Sequence, residues 1–328
     1  MKPLGWVMLL LAVAAALTLG IGVRPVGIAE IWQAFAAPDP NNPAHVTILS
    51  IRLPRLWAGI IAGGALGMAG TVMQALTRNP LADPGILGIN AGAAFAIVFG
   101  SLLLQQADVG LVAVLAFPGA ALASLAVFLL GGGRHGDAGP VRLALAGAAL
   151  NALLLSLVSG VVVLRADSLE VFRFWVVGSL AQAGERPLMA MAAVTLFGAG
   201  LALALAPRIE ALSLGSALSR GLGTRPGRVQ AGGLLAVTAL TGAAVSVAGP
   251  VAFLGLMVPP ISRRITGHEL RAELLVSASL GASILLLADT AGRLIFAPAE
   301  LGAGVMTALI GGPVFVLIAR RLLPGGQT

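Results

Sequence analysis

Apolar runs of about the length of a bilayer crossing alternate along this chain with short polar breaks rich in Gly and Pro. The first run, residues 4–23, follows a single lysine. No small-residue cleavage site with a polar region behind it is evident, so it reads as a retained helix rather than a signal peptide. Residues 24–51 are polar and Pro-rich and predict an extramembrane loop with short structure. Further runs cover residues 54–76, 86–104, 109–130, 143–164, 188–206, 229–248, 251–265, 274–296 and 301–322. This pattern predicts an all-α polytopic membrane protein with about ten transmembrane helices, forming a single domain over residues 1–328.

The breaks carry as much information as the runs. Asn79-Pro80 and Asp83-Pro84 disfavour helix at the residue before each proline and should interrupt the backbone. Gly249-Pro250 and Pro259-Pro260 interrupt the eighth run and predict a broken or re-entrant helix. Residues 168–187, with Phe172, Phe174 and Trp175, read as an interfacial segment. The stretch 212–228, LSLGSALSRGLGTRPGR, is short, basic and amphipathic. Leu214, Ala217, Leu218 and Leu222 fall on one face of a short helix. Gly221, Gly223 and Pro226-Gly227 then break the chain into a second short piece. On this pattern the loop is either a solvated connector or a docking surface.

Composition strengthens the membrane reading. Of 328 residues, 58% are hydrophobic and only 10% charged, with a mean hydropathy of +0.99, where a soluble domain carries about a quarter charged residues. The net charge of +7 does not point to nucleic acid, because the basic residues are spread through the loops rather than gathered on one face. With the N-terminus inside, thirteen of the twenty basic residues are cytoplasmic and seven outside (Arg24, Arg52, Arg55, Arg165, Arg173, Arg186 and Arg293), the sense of the positive-inside rule. The central loop then faces the cytoplasm. Zero cysteines exclude disulfides and thiolate chemistry. His45, His135 and His268 have no metal-ligand spacing. The only lysine is Lys2, so no P-loop exists here and ATP-driven work must come from a partner.

Glycine makes up 44 residues and falls inside runs, as at Gly59, Gly63, Gly64, Gly67 and Gly70, which predicts close helix contact. Asp289 is an intramembrane carboxylate with Arg293 one turn on, an i,i+4 partner. Asn151 either lines a path or hydrogen-bonds a neighbouring helix.

Several stretches together resemble the permease subunits of the type II ABC importer family that takes up ferric siderophores, haem and cobalamin (the FecCD/BtuC-like permeases). They are RLPRLWAGIIAGGALGMAGTVMQALTRNPLADPGILGINAGA at 52–93, FRFWVVGSL at 172–180, GPVAFLGLMVPPISRRITGHE at 249–269 and LADTAGRLIFAPAELGAGVMTALIGGPVF at 287–315. The resemblance implies two permease chains, identical or paralogous, paired in the bacterial cytoplasmic membrane. An ABC ATPase dimer docks inside and an extracytoplasmic substrate-binding protein delivers ligand outside. It implies no cofactor on this chain, ATP and Mg²⁺ being bound by the ATPase. Coupling to that subunit falls on Leu214, Gly215, Ala217, Leu218, Arg220, Gly221, Leu222 and Gly223. Docking of the binding protein falls on Arg52, Arg55 and Arg293, each able to pair bidentately with a carboxylate; the alternative for such arginines is snorkelling to headgroups. A cytoplasmic gate falls on Asn79 and Leu81, with a second element at Pro140 and Val141, where relatives can carry hydroxyl residues. Pro260 stands where many relatives have His. The siderophore, rather than haem or cobalamin, is the ligand implied by the first and second of these stretches. An ion-coupled secondary transporter would need several buried carboxylates or histidines, and a membrane enzyme would need convergent acid, base or metal ligands; the apolar runs supply neither.

Overall fold

The computed structural model describes residues 2–22, 25–104, 109–132, 140–213, 215–221 and 223–322. The described residues form helices and connecting turns. Among the described residues six helices are long and apolar enough to cross a membrane: Pro43–Thr77, Ala113–Leu130, Val141–Leu164, Leu188–Ser213, Pro226–Ala248 and Leu270–Ile295. Three shorter apolar helices, Leu4–Gly20, Ile89–Leu104 and Ala303–Ile318, accompany them. In chain order the elements are α1 (Lys2–Gly20), α2 (Ile28–Ala36), α3 (Pro43–Val46), a π-helical turn (Thr47–Arg52), α4 (Leu53–Thr77), a 3₁₀ turn (Pro84–Leu87), α5 (Ile89–Leu104), α6 (Val109–Leu130), α7 (Pro140–Leu164), α8 (Ala166–Val176), a 3₁₀ turn (Ala183–Glu185), α9 (Leu188–Ser213), α10 (Ser216–Gly221), α11 (Pro226–Ala248), α12 (Leu254–Thr266), α13 (Leu270–Ile295) and α14 (Ala303–Leu322).

α4 is the axis of the bundle. Over an apolar stretch of 18 residues in each, 83% of the residues are buried in α4 and in α11, against 11% in α7, so α4 and α11 are internal while α7 presents its leucines outward. Glycines make the close packing of α4 possible. Gly59, Gly63 and Gly67 recur every four residues and face α13. A Cβ on Gly63 would lie 2.5 Å from the Gly281 carbonyl oxygen and 2.7 Å from the Ala282 Cα. Lipid offers no hydrophobic drive for helices to associate, so contact this close substitutes for it. Polar side chains tie the same seam: Thr71 Oγ1 donates to Ser277 Oγ at 2.8 Å, and Ser277 Oγ donates to Ser262 Oγ at 2.9 Å, joining α4, α13 and α12.

The structure corrects the sequence reading in three places. Pro259-Pro260 does not break α12, which runs unbroken from Leu254 to Thr266. A proline frees the carbonyl four residues back, here those of Gly255 and Leu256. Gln74 Nε2 of α4 donates to the Leu256 carbonyl at 3.3 Å, and α4 approaches the Gly255 carbonyl at Gly70, where a side chain would collide with it. The break before α12 does occur, at Gly249 (φ 71) and Phe253 (φ 64). Second, α9 does not stop at Ala206 but continues past Pro207 to Ser213. Its apolar face carries on through Leu205, Ile209 and Leu212, all buried, and that period outweighs the proline. Third, Pro226-Gly227 does not end a short piece. Pro226 opens α11, the first helical turn being where its missing N–H costs nothing.

The segment at residues 168–187 splits by residue. In α8, Phe174 is exposed while Trp175 is buried. Trp175 sits beside a junction in which Ser179 N donates to the Ala248 carbonyl at 2.8 Å and Gly304 N to the Gly178 carbonyl at 3.0 Å. α2 lies between α1 and α3 with Ile28, Trp32 and Phe35 exposed, the amphipathic dress of a helix at a membrane surface.

Candidate functional site

Two clusters stand at opposite ends of α4. The first gathers Arg52, Arg55, Asp289, Arg293 and Glu300. The π-helical turn delivers Arg52, the first turn of α4 carries Arg55, and α13 supplies Asp289 and Arg293 near its end. Arg55 Nε and one terminal nitrogen, NH2, each donate to an Asp289 carboxylate oxygen at 2.8 Å, a fork-on-fork pair. The other, NH1, donates to Glu300 Oε2 at 2.9 Å. Arg293 Nε lies 3.3 Å from Asp289 Oδ2, the i,i+4 pair expected from the sequence. Asp289 has no solvent exposure at all, and Arg55 5%.

Arg52 and Arg293 have a further task. α1 ends at Gly20, and the last carbonyls of a helix have no partner within it. Arg52 donates to the Leu19 carbonyl. Arg293 donates to the Ile21 carbonyl at 2.9 Å and to Thr290 Oγ1 at 3.1 Å. Cations at a helix C-terminus also meet its negative dipole end. Arg52, Arg55 and Arg293 are all buried and engaged within the chain. Sequence reasoning found the arginines and Asp289 but missed the principal pair, Arg55 with Asp289, and missed Glu300. A pairing across 245 residues leaves no local signal.

The second cluster closes the other end of α4. Arg78 terminates the helix in a left-handed conformation (φ 52) and donates to the Leu212 carbonyl at the end of α9. The backbone then breaks where the two prolines predict. Asn79 Oδ1 accepts from Leu81 N at 2.9 Å, and Asp83 Oδ1 accepts from Gly85 N at 2.7 Å. Leu81 is exposed. Burial pushes the Asp83 carboxyl above its ordinary range, partly opposed by the Gly85 N–H. Pro140 and Val141 form the first residues of α7, and Val141 is exposed.

Pro80 lines a cavity of about 580 Å³ together with Pro260, Ile261, Arg264, His268 and Leu317 among others. That Pro80 and Pro260 share a wall was not legible from their local patterns. Beside it Arg263 donates twice to Glu273, at 2.8 and 3.2 Å. Glu210 of α9 accepts from the Leu270 backbone N–H at the start of α13.

The central loop holds one short helix. α10 contains Ala217, Leu218, Arg220 and Gly221; Leu214 and Leu222 lie outside the described residues. Gly215 (φ 113) and Gly223 (φ 79) flank it in conformations that L side chains avoid. Thr224 Oγ1 donates to the Ser219 carbonyl at 2.7 Å and closes the loop, while Arg220, Gly221 and Gly223 stand exposed.

Comparison with known proteins agrees over nearly the full length. The model of the FecCD transport family matches residues 9–321. The ferric enterobactin transport system permease protein FepD of Escherichia coli (strain K12) is 43% identical over 319 residues, 97% of this chain and 95% of that protein. The hemin transport system permease protein HmuU of Yersinia pestis is 35% identical over 325 residues, 97% of this chain and 95% of that protein. Among solved structures, a metal-chelate type ABC transporter in an inward-facing conformation superposes with a TM-score of 0.83 at 25% identity, covering 98% of this chain and 99% of that one.

Proposed function

The chain belongs to the FecCD transport family, and from that premise we propose that it is the permease subunit through which an ABC importer moves a ferric siderophore across the bacterial cytoplasmic membrane. Members of the family are membrane permeases rather than enzymes. The observation that carries the ligand is the end-to-end match at 43% identity to a ferric enterobactin permease. Haem is the second reading, favoured by the hemin permease at 35% identity.

In this reading the chain crosses the membrane about ten times: the six long helices, the three shorter apolar ones and α12 support that number. A second permease chain, identical or paralogous, covers the outward leucines of α7. An ABC ATPase dimer engages α10 and its flanking glycines, a short rigid helix held between two hinges of special backbone conformation. The turn at Asn79 and Leu81, with Pro140 and Val141, forms the cytoplasmic gate. The Arg52, Arg55 and Arg293 cluster receives carboxylates of an extracytoplasmic binding protein, with Arg55 linked to the surface through Glu300.

The test is uptake into proteoliposomes holding this permease with its ATPase and binding protein. A ferric siderophore, haem and cobalamin are offered separately, with and without ATP. ATP-dependent accumulation of the ferric siderophore alone is expected. Accumulation of haem alone would replace the ligand. Accumulation that follows a proton gradient without the ATPase would overturn the importer reading.

A further inference from the structure

In the outer cluster, the partners of Arg55 divide between interior and surface. Its Nε and NH2 are held by Asp289, which is fully buried. Its NH1 is held by Glu300, whose side chain is 36% exposed. Glu300 lies in the connection between α13 and α14, where residues 296–300 are all exposed. The inner edge of the guanidinium is thus sealed, and the outer edge is covered by a carboxylate that water can reach. An incoming carboxylate has the chemistry of Glu300 and needs the same N–H groups.

We infer that Glu300 is an internal occupant of the docking point, which a carboxylate of the binding protein must displace from Arg55. This inference rests on the docking reading above. Glu300 keeps the outer N–H group of Arg55 paired while no partner is present and reduces the positive excess of the three arginines over Asp289. It also sets a ceiling on affinity, because every docking event exchanges one ion pair for another instead of adding one. A partly exposed ion pair contributes little, so the exchange is cheap and reversible, as repeated docking and release require. Asp289 plays no part in the exchange and holds the guanidinium in place throughout.

The experiment measures the affinity of the binding protein for the permease–ATPase complex in nanodiscs. Wild type is compared with Glu300→Gln, each against binding proteins whose surface carboxylates are neutralised one at a time. Glu300→Gln should tighten binding by about twofold to fivefold, the reach of a surface ion pair. The gain should vanish against the one binding-protein variant that lacks the competing carboxylate. If Glu300→Gln leaves affinity unchanged or weakens it, while a neutralised carboxylate still costs affinity, displacement is wrong and the docking reading stands. If no neutralised carboxylate weakens binding, the docking reading fails and the inference falls with it. Glu300 is exposed enough that its loss should leave the fold intact, and an unchanged melting temperature checks this.

Discussion

Replacing Asp289 with Asn removes one charge while keeping the shape of the side chain, and the geometry sets how much that should cost. Asp289 accepts two hydrogen bonds from Arg55 at 2.8 Å and has Arg293 Nε at 3.3 Å. In Asp289→Asn one carboxylate oxygen becomes an NH₂ group facing N–H donors. Arg55 keeps one hydrogen bond to the remaining amide oxygen and, as an anionic partner, Glu300, while Arg293 loses its carboxylate and keeps its carbonyl and hydroxyl acceptors. Breaking a buried pair by removing one partner costs about 3–5 kcal/mol, because the other charge is left uncompensated. Removing both charges costs less, since the desolvation of the pair is relieved together with its attraction. The double variant Asp289→Asn, Arg55→Gln should therefore be more stable than the two single losses added together, with a coupling of about 1–3 kcal/mol. Reversible unfolding of the purified permease in mixed detergent micelles, followed by circular dichroism, gives all four corners of the cycle. A loss below about 1 kcal/mol for Asp289→Asn, or a coupling near zero, would refute the claim that this pair fastens α4 to α13; the threshold is the ceiling for an exposed pair.

Three further outcomes are expected. Gly63→Ala should destabilise by about 1–3 kcal/mol through overpacking, because its Cβ would lie 2.5 Å from the Gly281 carbonyl oxygen. Gly200→Ala, with nothing within 4 Å, should stabilise α9 by up to about 1 kcal/mol, and equal effects in the same micelle assay would contradict the seam. Asp83 has its folded pKa raised above the ordinary 3.8 by burial, so the folded state holds the proton more tightly than the unfolded chain. Its contribution is fully present below pH 3.8 and is lost as pH rises through the folded pKa. Melting temperatures from pH 3.5 to 7 should fall with rising pH relative to Asp83→Asn, which keeps an acceptor for Gly85 N–H, and parallel curves would refute the shift. Finally, Gly215→Val with Gly223→Val forces side chains into the φ 113 and φ 79 conformations. The pair should cut co-purification of the ATPase at least severalfold while leaving the permease melting temperature nearly unchanged; full co-purification with transport intact would remove α10 from the coupling role.

What the sequence disclosed and what it hid follow one physical line. The helices were legible because the membrane demands long apolar runs, and the break at Asn79-Pro80 and Asp83-Pro84 was legible because proline acts on its immediate neighbour. The same local rule misled at Pro259-Pro260, and the apolar run closed at residue 206 although the helix goes on past Pro207. There the freed carbonyls or the continuing apolar face find tertiary partners, Gln74 in one case and the buried row at Leu205, Ile209 and Leu212 in the other. The outer cluster was half legible. Asp289 and Arg293 are one turn apart and announce each other, whereas Arg55 meets Asp289 and Glu300 only because α4 is drawn against α13. Glycines every four residues hinted at that contact, but they do not say which helix comes to meet them.

α4 connects the two clusters physically. Its first turn holds Arg55 in the outer knot, and its last residue before Arg78 and Asn79 opens the inner turn. Twenty-five residues at 1.5 Å each make a rod of about 37 Å, longer than the hydrocarbon core is thick. Along that length the helix packs against α13 through glycine contacts and against α12 through Gln74 and Gly70, contacts that oppose local bending. A change in what Arg55 holds outside is therefore applied to an element whose far end is the Asn79 turn. The carbonyls of α1 held by Arg52 and Arg293 oppose such a shift. The exchange at Glu300 is the part of the knot that can change without breaking the buried Arg55–Asp289 pair on which the packing of α4 depends.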